Sequence, residues 1–363
     1  MPTNTGTLDR GLRIAAGIAL ASSLALMTPP ALADNLGFDG KIVEPDCDAM
    51  GAWFDCRKID TAPADVKRGY EYIHHTSKTL GPDGTKKYPN GTPYSTTTIA
   101  CSSCHFTGGH VPFGTPMYQS PDKYAGLPYF RPLNYNRDLE DSIIDCFRNC
   151  MNATQTPSKT DVVMRDMVAY IEWLADGVTD PNRQGPGWVN LPGNGLPVVD
   201  PNVANMTGNP VAGRSRYNAE CGSCHSKDGP GRGEYRRGEG RPRVPALWGK
   251  DGYSRGAAFY NSQNLAGYIK QHMPLGDALT LTAQQSLDIA VFINDQPRPS
   301  GMANQMFCHT ESDGIPGALR KPAAWLVGCG YPGEPFTDQD ILYGPWAPIT
   351  AWRNAEINRL KGL

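Results

Sequence analysis

Cys101-Ser102-Ser103-Cys104-His105 and Cys221-Gly222-Ser223-Cys224-His225 decide how this chain is read. Each stretch sets two thiols three positions apart and places an imidazole directly behind them. Thiols at that spacing reach the two vinyl groups of one porphyrin, and the following histidine then lies under the iron as an axial ligand. A redox Cys-x-x-Cys pair, or half of a zinc site, would use the same thiols. A zinc site would pool the four thiols, whereas here each pair carries its own histidine. Two covalently attached haem c groups are therefore expected, one on Cys101, Cys104 and His105, the other on Cys221, Cys224 and His225.

Working outward, the surroundings of the two motifs repeat. A helical lead-in is predicted over Asp65 to Leu80, with Val66, Tyr70, Ile73 and Ser77 on one face and Gly81-Pro82 as its stop. A closing helix is predicted over Thr160 to Ala175, capped by Thr160, with a stripe of Val163, Met167, Tyr170, Ile171 and Leu174. The second half has a lead-in near Val211 to Glu220. It closes with Ala283 to Asp295, capped by Thr282 and facing inward through Leu287, Ala290, Val291 and Phe292. The Gly-, Pro- and Asn-rich stretch 185–209 reads as a linker. The expected architecture is all-α: a cytochrome c domain over 34–184, a second over 210–297, and an irregular tail over 298–363 that wraps the two.

Composition agrees with this picture. Gly (40) and Pro (32) are abundant and apolar residues make up 39% of the 363 positions, as suits a loop-rich fold whose core is partly haem. Seven Trp and sixteen Tyr argue against disorder. A net charge of -2 implies no general polyanion-binding surface, so nucleic acid is not an expected partner. Arg10 and Arg13, the apolar run Ile14 to Met27 and the small-residue site Ala31-Leu32-Ala33 form a secretory signal over 1–33, with cleavage after Ala33 and a periplasmic destination. The apolar run is too short to span a bilayer, and no later stretch is apolar enough to do so. Ten cysteines suit an oxidising compartment, with Cys47–Cys56 and Cys308–Cys329 the simplest pairings by proximity.

The second axial ligand decides what each haem does. In the second half Met273 precedes Pro274 just upstream of the closing helix, where a thioether ligand would favour Fe(II) and raise the potential. The rival reading is a core Met, and the adjacent His272 is either a competitor for the iron or a solvated neighbour. In the first half the candidates are His110, Met117, Cys146, Cys150 and Met151. A Cys146 thiolate would stabilise Fe(III) and lower the potential. A Cys146–Cys150 disulfide or a buried free thiol fits the spacing equally well.

Several stretches resemble the dihaem thiosulfate dehydrogenases. They include Gly69-Tyr70-Glu71-Tyr72-Ile73, Ala100 to His105, Leu139-Glu140-Asp141 leading to Cys146-Phe147, and Met167-Val168-Ala169-Tyr170-Ile171. Further along come Pro245-Ala246-Leu247-Trp248-Gly249, Met273-Pro274-Leu275-Gly276, Ile293 to Pro299 and Tyr343-Gly344-Pro345-Trp346. The resemblance implies His105 and Cys146 as axial ligands of the first iron, and His225 and Met273 of the second. It implies joining of two thiosulfates into tetrathionate at the Cys-ligated haem, where the ligand sulfur bonds to the substrate. Electrons would leave through the Met-ligated haem to a soluble acceptor such as a cytochrome c or a high-potential iron–sulfur protein.

This chain departs from the family pattern beside Cys146. The family's Asp-Arg-Ile is Asp141-Ser142-Ile143 here, and its Phe-x-Arg-Ser-Met-Asn-Gly is Phe147-Arg148-Asn149-Cys150-Met151-Asn152-Ala153. A dianionic substrate needs cationic donors. Arg148, Arg131 and Arg137 are the candidates to replace the two lost arginines, with Cys146, Arg148 and Arg131 forming the expected catalytic set. The alternative is a dihaem electron carrier that serves a partner dehydrogenase and has no substrate of its own. The arginine-rich stretch 232–243 is read either as a steering surface for an acidic acceptor or as a solvated loop, and His74 and His75 as core or surface groups.

Overall fold

Gly69 and Gly213 show how the repeat is built. In the computed structural model, helix α1 (Ala64–His74) lies across the closing helix of its half, Val162–Asp176. A Cβ on Gly69 would stand 2.0 Å from the Asp166 backbone oxygen and 2.7 Å from the Tyr170 Cβ, so only glycine lets the two backbones approach. In the second half, Gly213 of Pro210–Glu220 meets Ala283–Asn294 in the same way, with Asp288 O at 1.9 Å and Phe292 Cβ at 3.0 Å. The first crossing is locked at its rim by Arg68, whose Nε and Nη2 donate to the Asp166 carboxylate at 2.7 and 2.8 Å.

The structure describes residues 59–110, 114–121, 138–177, 198–229, 244–301, 314–320 and 331–363. The signal segment, Cys47, Cys56, Arg131, Arg137, the arginine-rich stretch 232–243, Cys308 and Cys329 lie outside them. After α1 come α2 (Thr76–Leu80), α3 (Cys101–Cys104), α4 (Phe106–Gly109), α5 (Leu139–Asp145), a π-helical turn (Cys146–Cys150) and α6 (Val162–Asp176). The second half runs α7 (Pro210–Glu220), α8 (Gly222–His225), α9 (Ser262–His272) and α10 (Ala283–Asn294). It is followed by α11 (Gly317–Arg320), α12 (Asp338–Tyr343) and α13 (Trp346–Lys361). Among the described residues there is no strand, and isolated bridges such as that between Lys87 and Pro93 add no sheet, so the all-α expectation is met.

Three expectations need correction. The lead-in is two helices, not one: the chain breaks at His75, and Thr76 Oγ1 donates back to Tyr72 O (2.7 Å) and Ile73 O (3.1 Å). The expected face survives the break, since Val66, Tyr70, Ile73 and Ser77 are all buried. Helix α6 is capped by Asp161 rather than Thr160, its carboxylate accepting from Val163 N at 2.8 Å. The tail is not irregular throughout. It holds the 16-residue α13, which buries only Trp346, Ile349 and Arg353, too thin a stripe to read as amphipathic. Arg353 is paired in the interior with Glu334 at 2.6 Å.

Helix α10 is capped as expected, with Gln285 N donating to Thr282 Oγ1 (3.2 Å) and Thr282 N donating to Gln285 Oε1 (2.9 Å). From Ser286 to Asn294 every residue is buried, because α7, α9 and the tail cover it on several sides. Thr282→Ala is expected to cost about 1 kcal/mol, read as a lowered denaturant midpoint of the haem-loaded protein.

Apolar side chains gather in two cores. One holds Val66, Tyr70, Ile73, Met164, Tyr170 and Leu174. The other holds Tyr217, Trp248, Leu265, Leu287, Phe292 and the tail's Trp346. Val199 and Val203, from the stretch read as linker, belong to the second core, as do Ile99 and Met151 from the first half.

Candidate functional site

The turn carrying the first motif is held by its own serines and by the broken helix. Cys101 N donates to Thr76 Oγ1 at 2.9 Å, Ser102 Oγ to His74 O at 3.2 Å, and Ala100 N to Ser103 Oγ at 3.1 Å. With the helix broken at His75, the Thr76 hydroxyl is placed to anchor the first cysteine of the motif. His105 Nδ1 donates to Thr115 O at 2.6 Å, which fixes the ring and leaves Nε2 as the nitrogen that could serve a metal. Thr115, at φ 53°, hydrogen-bonds Cys104 O through Oγ1, and Phe106 N donates to Gly114 O at 2.9 Å. His74 is buried in a stack with Tyr70 (centroids 4.0 Å apart) beside Tyr170, as a core residue.

Helix α5 delivers Cys146 to this turn. Its start is fixed by Asp138, whose carboxylate accepts from Asp141 N at 2.8 Å. Its end widens into the π-turn, where Met151 N donates to Cys146 O at 3.0 Å. Single π-turns inside helices recur at functional sites. Burial pushes the Cys101 thiol up to about 11 and the Cys104 thiol up to about 12, and the charge of Cys146 adds to both. The Cys150 thiol lies well above its ordinary range, first through its hydrogen bond to Cys146 and then through burial. The four thiols therefore share one electrostatic neighbourhood, in which Cys146 and Cys150 each feel the Cys101 and Cys104 sulfurs.

The remaining first-half candidates sit elsewhere in the packing. Met117 joins the first core and lies against Gly109, His110 is buried, and Met151 points into the second core. Arg148 is half-exposed and stands 3.8 Å from the buried Asp145 carboxylate. Asn149, at the place of a family arginine, is buried, and its carbonyl accepts from Ser254 Oγ of the second half.

The second motif repeats the logic with different partners. His225 Nδ1 donates to Pro245 O at 3.0 Å, and burial lowers the imidazole's pKa, favouring the neutral ring that a metal ligand requires. Tyr217 OH donates to Ser226 O at 2.7 Å and holds the end of α8. Cys224 is exposed and Cys221 partly so. Met273 ends α9, its N–H donating to Ile269 O at 2.8 Å, and the start of that helix is capped by Asn261. His272 is not the solvated neighbour that its position suggested. It is 5% exposed, and its ring lies 5.0 Å from Phe106 and 5.0 Å from Tyr268. The residue after His105 thus touches the residue before Met273. Phe106, Thr76, Thr115 and Ser254 carry no motif signal, because their roles depend on chain crossings remote in sequence.

These donor sets suit haem c. Two thiols on one short turn, with an imidazole whose Nδ1 is occupied, are what covalent attachment and axial ligation require, and each half supplies a further sulfur, Cys146 or Met273. Among the described residues no group of three or more His, Cys, Asp and Glu side chains is arranged to hold a bare metal ion.

No protein-family model matches the chain. It is 31% identical over 219 residues to a thiosulfate dehydrogenase of Thiomonas intermedia, covering 59% of this chain and 63% of that protein. It is 31% identical over 206 residues to the thiosulfate dehydrogenase of Allochromatium vinosum, covering 55% of this chain and 70% of that protein. The one from Psychrobacter arcticus is 28% identical over 240 residues, 66% of this chain and 65% of that protein. The chain thus spans roughly two thirds of the length of these relatives. Among solved structures it resembles the thiosulfate dehydrogenase TsdBA of Marichromatium purpuratum in its as-isolated form. That match has a TM-score of 0.54 and 25% identity, over 67% of this chain and 49% of that one. With the ordered motifs and the all-helical duplicated fold, these likenesses place the chain in the thiosulfate dehydrogenase family.

Proposed function

We propose that this chain is an exported dihaem cytochrome c that oxidises thiosulfate to tetrathionate. Cys101, Cys104, His105 and Cys146 would hold one haem, and Cys221, Cys224, His225 and Met273 the other. The two units would span 34–184 and 210–297, with Val199, Val203, Trp346 and Ile349 packed into the second. The observation that carries the reading is the arrival of Cys146, on the π-turn, beside the Cys101–Cys104 thiols. Bound there, the haems supply one-electron acceptors of unequal potential, the thiolate favouring Fe(III) and the thioether Fe(II).

The rest is done by the chain. The Cys146 sulfur is the group placed to meet a substrate sulfur. Arg148 and Arg131 are the candidate cations that draw the dianion in, and Arg148 must turn from Asp145, 3.8 Å away, to do so. Exposure of Cys224 puts an edge of the second site at the surface, where a soluble cytochrome c or high-potential iron–sulfur protein can dock. Among the described residues no helix is long and apolar enough to cross a membrane.

The overall change is two thiosulfates to one tetrathionate with release of two electrons. The test is haem-loaded protein with thiosulfate and ferricyanide, and the expected result is one tetrathionate per two ferricyanides reduced. Fully haem-loaded protein that makes no tetrathionate overturns the assignment. The engagement of Arg148 with Asp145, together with Ser142 and Asn149, favours the second reading, a carrier reduced by a partner dehydrogenase and indifferent to sulfur compounds.

A further inference from the structure

Cys150 stands where the resemblance would place a serine, and its thiol is hydrogen-bonded to Cys146. The two residues are the ends of one π-turn, whose wider coil brings them onto the same side of the helix. The turn is clamped from outside: Ser254 N donates to Cys150 O at 3.2 Å, and Ser254 Oγ bonds Asn149 O. A Cβ on Gly256 would stand 2.9 Å from the Asn149 Cβ and carbonyl oxygen, so the second half presses directly on this turn. With Cys101, Cys104, Cys221 and Cys224 committed to haem thioethers, Cys146 and Cys150 are the two thiols left among the described residues.

We infer that Cys146 and Cys150 form a dithiol–disulfide site that is oxidised by sulfur–sulfur-bonded anions of the polythionate class. The Cys146 sulfur attacks a central sulfur of tetrathionate and expels one thiosulfate. The Cys150 sulfur then attacks the Cys146 sulfur and displaces the second thiosulfate. One sulfur–sulfur bond of the oxidant is broken, the Cys146–Cys150 bond is made, two thiosulfates leave and two protons are released. No other oxidant is needed. A neighbouring serine could not complete the second step, so the exchange belongs to this chain's own pair of thiols. The consequence is product feedback: accumulated tetrathionate takes the Cys146 sulfur out of use until a thiol reductant restores it. The inference rests on Cys101 and Cys104 being haem thioethers, and not on thiosulfate turnover.

Arg148 lies between the two cysteines, so trypsin separates them into peptides 138–148 and 149–159. Pre-reduced haem-loaded protein is treated with tetrathionate, alkylated, digested without reductant and mapped by mass spectrometry. The expected product is peptides 138–148 and 149–159 joined by a disulfide, parted by reductant, with reversible loss of the thiolate-type low-spin EPR signal in the same sample. Cys150→Ser and Cys150→Ala are expected to give no joined pair and to retain a sulfur adduct on the Cys146 peptide. Wild-type peptides that remain separately alkylated overturn the inference. Joined peptides in protein that makes no tetrathionate would keep this site and remove the proposed function. Turnover with separately alkylated peptides would do the reverse.

Discussion

Cys146→Ala is expected to lower thiosulfate turnover by about 10³-fold or more, the range seen when a reacting nucleophile is removed, with both haems still attached. Attachment depends on a different element. The Cys101–Cys104 turn is anchored by Thr76, Ser102 and Ser103, none of which touches the mutated side chain in these bonds. The π-turn itself is held through the backbone, by Met151 N on Cys146 O and by Ser254 N on Cys150 O, so alanine leaves it in place. Loss of activity should therefore come with unchanged haem content and a higher potential at the first centre, because an electron-donating ligand has gone. Ferricyanide-linked turnover, pyridine haemochrome content and a redox titration on one preparation check all three. Activity within tenfold of wild type would exclude Cys146 as the reacting sulfur.

The second large effect lies far from that sulfur. Gly69→Ala and Gly213→Ala each place a methyl group about where a backbone oxygen already stands, 2.0 Å from Asp166 O in one case and 1.9 Å from Asp288 O in the other. A helix oxygen cannot swing aside as a side chain can, so the helices must part. Each substitution is expected to cost at least about 3 kcal/mol, at the upper end of overpacking effects. Against a typical stability of about 5–15 kcal/mol, the yield of haem-loaded protein should fall as well. Gly91→Ala is the control. Gly91 has φ 82° and nothing within 4 Å of its missing Cβ, so only backbone strain is added, about 1 kcal/mol. Denaturant midpoints of the three variants separate contact from strain.

Much of this is legible in the chain. The two Cys-x-x-Cys-His turns suffice for the expectation of haem attachment, since that chemistry is local. Helices α6 and α10 follow from apolar periodicity, and α10 also from its Thr282 cap. What cannot be read depends on side chains that serve distant backbone. The lead-in breaks at His75, beside a Thr76 hydroxyl that bonds Tyr72 O, Ile73 O and the distant Cys101 N. Helix α13 escapes a reading by periodicity because three buried residues in sixteen leave hardly any pattern, and its interior ion pair puts an arginine where periodicity expects an apolar group. His272 reads as solvated because its neighbours Phe106 and Tyr268 come together only through tertiary packing. In the sequence Cys146 is one of several sulfurs, and only the fold carries it to the first motif.

The burial of Ile99 and Met151 in the second core, and the grip of Ser254 on the π-turn, bear on how the molecule can be taken apart. Although the chain reads as a duplication, the first half closes part of the second's interior, and the second half grips the first's π-turn. A backbone cut between residues 177 and 198 should therefore yield fragments that stay associated, as complementing pieces of one body. Expressed separately, neither half would be a miniature of the whole: the first would expose Ile99, Met151 and Phe106, and the second would lack part of its packing. Engineering one half as a stand-alone electron relay would have to begin by repairing that seam.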